Sequence, residues 1–86
     1  MAQRDLMELS IEDAARVKFL KGQAEHGVEF KIDVLIEMHD EWLDIINYCD
    51  VAVDQQGYDR ERLGKIRSFA VDMCKLTREI YAEKHQ

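Results

Sequence analysis

The chain has 86 residues, with 12 Lys and Arg against 18 Asp and Glu and a formal net charge of -6 at pH 7. That length fits one small domain and excludes a second, and the acidic balance argues against direct binding of nucleic acid through a basic surface. Hydrophobic residues at 47 %, four glycines and no proline exclude disordered and collagen-like classes and favour an all-α fold. The longest apolar run, Val34-Leu35-Ile36, is far short of the roughly 20 residues of a membrane span. Met1 to Ser10 lacks the apolar centre of a signal peptide, so a cytoplasmic protein away from the membrane is expected. Cys49 and Cys74 show neither C-x-x-C nor zinc-ligand spacing and are expected to be buried free thiols.

In chain order, Leu6, Met7 and Leu9 offer at most an extra apolar turn before the first long helix. That helix is predicted over Ile11 to His26. Ser10 suits the N-cap, Glu12 and Asp13 place acid where the helix dipole favours it, and Gly27 supplies the stop. A second helix is predicted to begin between Phe30 and Asp33 and to run to about Gln56, ahead of Gly57. The third is launched by Asp59 and runs to about Lys84, with Leu63, Ile66, Ala70, Met73, Leu76 and Ile80 spaced as one apolar stripe read as core. Short connections make an antiparallel helical bundle of these three main helices the simplest packing. The second helix is apolar over so much of its circumference that a homodimer, or a higher homo-oligomer, is expected to complete the bundle.

The second helix also carries the chemistry. At 100° per residue, Glu37, Glu41 and Asp44 fall within roughly 60° of one another. Asp33 and Asp40 lie to one side, and Tyr48 and Val51 continue the line. A solvated acidic face is the plain reading of such a line. Val34, Leu35, Met38, Trp42 and Ile45 flank it, however, and carboxylates one turn apart in partly apolar surroundings repel unless a cation neutralises them. An all-oxygen donor set suits a hard divalent ion, Mg2+ or Mn2+, bound partly through phosphate oxygens. An acidic protein would need such an ion between itself and a phosphate-bearing ligand.

The segment from Glu37 to Tyr48, with Glu41-Trp-Leu-Asp44 at its centre and Asn47-Tyr48 directly after, resembles the E-x-x-D motif of the MazG-like all-α nucleoside triphosphate pyrophosphohydrolases. The resemblance covers about a third of the chain. It implies hydrolysis of a nucleoside triphosphate to the monophosphate and pyrophosphate, with Glu41 and Asp44 as metal ligands and Glu37 as a further ligand or the base that orients water. The family's earlier E-E-x-x-E motif has no counterpart in Ile11 to His26. Glu37, Glu25 with His26, Asp72 or Glu79 on the third helix, or a partner chain are the alternatives for its role.

Other residues have two readings. Asn47 and Tyr48 are candidate substrate contacts, as is Lys65, with Arg62 and Lys75 as further cations for phosphate or as ordinary solvated charges. Trp42 is read as core, or else as a stacking wall for a base. His39 is read as a hydrogen-bonded bundle residue rather than a ligand, and His26 as a partner of the helix C-terminus. Besides the enzyme, two functions fit the same residues: a catalytically degenerate module that binds nucleotide and metal, and a helical protein-interaction domain.

Overall fold

The structure, a computed structural model, describes residues 3–27 and 31–86. It is all-helical, with no strand among the described residues, and its four helices are α1 (Gln3–Leu6), α2 (Ile11–His26), α3 (Val34–Asp54) and α4 (Arg60–Lys84). No described helix is long and apolar enough to cross a membrane. The chain divides into two compact units, Met1–Lys31 and Ile32–Gln86.

In the first unit, the Ser10 side chain accepts the Asp13 N–H at 3.1 Å and so caps α2, as its sequence predicts. Gly27 ends the helix at φ 85°, its N–H bonded to the Gln23 carbonyl at 2.8 Å. The extra turn expected around Leu6 forms as α1 and the turn after it. The whole unit buries no described residue: Met7 and Ile11 are almost fully exposed, and Phe19 and Leu20 about half. The cause lies in α2 itself, where Val17 and Leu20 share their side of the helix with Asp13 and Lys21, so no uninterrupted apolar stripe develops.

The second unit is an antiparallel hairpin of α3 and α4. Asp33 starts α3 by accepting the Leu35 N–H at 3.0 Å, at the late end of the predicted range, whose earlier part includes Phe30 and lies outside the described residues. After α3 the Tyr58 N–H reaches back to the Ala52 carbonyl at 3.0 Å, and Gly57 turns the chain at φ 73°, a conformation that costs a side-chain-bearing residue about 1–2 kcal/mol. Asp59 then caps α4 by accepting the Arg62 N–H at 3.2 Å. Helices of 21 and 25 residues are thus laid side by side over about 30 Å.

All the buried residues described lie in the seam of this hairpin: Cys49 from α3, and Ala70, Cys74 and Thr77 from α4. The alanine, completely covered, lets the helices approach closely, and the Thr77 hydroxyl is satisfied within its own helix by the Met73 and Cys74 carbonyls at 2.9 and 3.0 Å. Both cysteines are free and buried, as expected. The single core stripe predicted for α4 splits in two. Ala70 is sealed and Leu63 half-buried, but Ile66, Leu76 and Ile80 are about half exposed because they lie to one side of the line that meets α3.

Candidate functional site

Two polar contacts fix the register of the hairpin. Arg67 Nε donates to Asp50 Oδ1 at 2.9 Å, and Arg78 Nε donates to His39 Nε2 at 2.8 Å. Both lie on one flank of the seam. On the other flank Trp42 meets Phe69 edge-on, with ring centroids 5.7 Å apart and planes at 76°, an arrangement worth about 0.5–1.5 kcal/mol beyond its buried area. The hairpin therefore has a polar side of paired charges and an apolar side.

Glu37, Glu41 and Asp44 project from α3 away from the seam, well round the helix from the residues that touch α4, and all three are exposed. Like Glu61, Asp72, Glu79 and Glu83 of this unit they have no ion-pair partner among the described residues, unlike the aspartates that hold arginines or a histidine. Asp50 and Asp54 hold Arg67 and Arg60, at 2.9 and 3.4 Å, and Asp33 lies 3.9 Å from His85. Hydrogen bonding to Asp50, and then its charge, raises the pKa of Arg67 above the ordinary guanidinium value. Among the described residues no cation reaches the carboxylates of Glu37, Glu41 or Asp44.

Glu37 and Glu41 border an open groove of about 270 Å3 whose floor is Val34, Met38, Trp42 and Ile45. Trp42, half-buried, packs on Phe69 and lines this groove. Asp44 follows on the same side of α3, and Tyr48, 69 % exposed, stands one turn beyond Asp44 in the same line. Asn47 is exposed but lies farther round the helix. The register puts Lys65 level with residue 52, about 12 Å along the axis from Asp44, so the hairpin does not bring it to the acids. Arg62 is engaged by Asp59 at 3.5 Å, and Lys75 is exposed.

The alternatives for the missing acidic motif separate by position. Asp72 and Glu79 are exposed on the side of α4 opposite Ala70, Cys74 and Thr77, and so point away from α3. Glu25 and His26 belong to the other unit, where they lie 3.7 Å apart. His39 accepts the Arg78 hydrogen bond through Nε2, which makes it the bundle residue its sequence position suggests. No group of three or more His, Cys, Asp or Glu side chains converges to hold a metal ion among the described residues. What α3 offers a cation is the carboxylate ladder alone, from one side.

The sequence reading missed the exposed apolar side. Its signal is the run Ile66, Phe69, Met73, Leu76 and Ile80, alternating steps of three and four, which is offset from the residues that seal against α3. Comparison with protein families, with curated proteins and with solved structures finds no match to this chain.

Proposed function

We propose that this chain is a Mg2+- or Mn2+-dependent nucleoside triphosphate pyrophosphohydrolase of the MazG-like kind, an antiparallel bundle of its three long helices completed by a second copy. The observation that supports the reading is the unpaired state of Glu37, Glu41 and Asp44 beside the Trp42 groove, in a unit whose Asp50 and Asp54 are matched to arginines. The donor set fits a hard ion. Mg2+ is commonly held by one or two carboxylates, with water and substrate phosphates filling the other positions, and a ladder without a third converging ligand is of that type.

In this mechanism Glu41 and Asp44 hold the ion, which when bound neutralises charge on the phosphate oxygens. Glu37 accepts the proton of a water whose oxygen attacks the α-phosphorus. The bond from that phosphorus to the bridging oxygen breaks, and pyrophosphate leaves with the bridging oxygen. Tyr48 and Asn47 lie farther along α3, within reach of the sugar or base.

The test is pyrophosphate release from a panel of ribo- and deoxyribonucleoside triphosphates with Mg2+ or Mn2+. Turnover by the native chain, reduced at least about a hundredfold in Glu41→Gln and in Asp44→Asn with helicity intact, is the expected result. A chain inert to the whole panel defeats the enzyme reading. The second reading, a helical interaction domain, is favoured by the exposed apolar side of the hairpin. It predicts that Mg2+ leaves the melting temperature unchanged, whereas a metal-binding native state is stabilised by its ligand.

A further inference from the structure

The apolar side of the hairpin is large and uniform. Val34 and Met38 from α3 and Ile66, Phe69, Leu76 and Ile80 from α4 are each between 44 % and 54 % exposed. The Trp42–Phe69 contact shows that the stripes of the two helices lie on the same flank. Between Ile66 and Ile80 the basic residues Arg67, Lys75 and Arg78 fall on other sides of α4, and Asp72 borders the stripe one turn before Leu76. The opposite flank of the hairpin carries the Asp50–Arg67 and His39–Arg78 pairs, which burial would strip of water at a cost.

We infer that this flank is the dimer interface: a second copy of the chain lays the same flank against it, around Trp42 and Phe69, so that the four helices of the two hairpins form the centre of the bundle. The inference rests on the homodimer in the proposed function and assigns it a face. Area supports it. Six side chains, each with roughly 85 Å2 uncovered, give about 500 Å2 per copy and about 1,000 Å2 for the pair, the lower bound for a specific interface. A second copy matches the patch because a two-fold contact sets one surface against itself. The interrupted stripe of α2, with Asp13 and Lys21 among its apolar residues, does not match it. Because Glu37 and Glu41 stand on the rim of the same flank, the second copy also walls the open side of the groove beneath them.

Sedimentation of the full chain over a concentration series tests this, alongside Ile66→Lys, Ile80→Lys and, on the other side of α3, Leu43→Lys. The native chain and Leu43→Lys are expected to sediment as dimers. Each α4 variant is expected to weaken association at least tenfold while keeping its helical circular dichroism, since the replaced side chains are already half in water. Native Trp42 emission should move to shorter wavelength as the dimer forms, which supplies a readout free of any variant. A native chain that stays monomeric overturns both the homodimer and the face. A dimer that survives Ile66→Lys and Ile80→Lys, or that forms without a change in Trp42 emission, overturns the face alone. Pyrophosphate release is scored separately, so neither outcome is confused with failure of the hydrolase reading.

Discussion

At the scale of single residues, pairing separates structural charge from available charge. Asp50 and Arg67, 17 positions apart in sequence, hold each other at 2.9 Å across the seam, each about half exposed. A raised guanidinium pKa contributes stability that is complete below the ordinary guanidinium value and is lost only as pH rises through the higher folded value. The contribution is therefore flat across the working range on its alkaline side and responds to salt instead. Asp50→Asn is expected to lower the melting temperature slightly at low ionic strength, with the difference from the native chain closing at about 1 M salt, where the Debye length is about 3 Å; thermal melts at two salt concentrations check it. Sequence distinguishes such a pair poorly from the neighbouring ladder. Asp44 and Asp50 look alike in the chain, and only the register of α4 decides that an arginine meets the second and none meets the first.

At the scale of elements, the caps and stops were the legible part. Ser10, Gly27, Asp33 and Asp59 stand at helix ends because each satisfies an orphan backbone group or tolerates the exit geometry, and such local chemistry is written in adjacent residues. Gly57 makes the α3–α4 turn, and an added methyl group there meets no atom within 4 Å, so only backbone strain opposes it. Gly57→Ala is expected to cost about 1–2 kcal/mol in urea unfolding, without changing the register that Arg67 and Arg78 define. Less legible was the division of the α4 stripe. Leu63, Ile66, Ala70, Met73, Leu76 and Ile80 form one periodic series, and periodicity tells which residues are apolar together without telling which neighbour covers them. Ala70 is sealed because a small side chain permits close approach, while the larger Ile66 and Ile80 stand off the seam.

At the scale of the whole molecule, the all-α class followed from composition, since a chain without proline and with 35 % charged residues spaced around apolar positions favours helices over sheets. The line of acids on α3 was legible for the same reason that the caps were, because it lies within one helix. The acids that would complete a metal site were not, because a convergent set depends on which faces meet, and Asp72 and Glu79 turn out to lie on the far side of α4. The seam buries only four described residues, a small core for a stable unit, so the stability of this unit is expected to rise with protein concentration. Equilibrium urea unfolding followed at two concentrations differing a hundredfold should give a higher midpoint for the more concentrated sample.

The placement of Cys49 and Cys74 turns the hairpin into its own clock. Both thiols are shielded by the seam, at 6 % and 5 % exposure, and both are free. A thiol reagent that is larger than water reaches them only when α3 and α4 part, so the rate of labelling counts those openings. Ala70, the tightest point of the seam, lies one helical turn from Cys74, so any change that pries the helices apart there quickens that count before it alters the helical content.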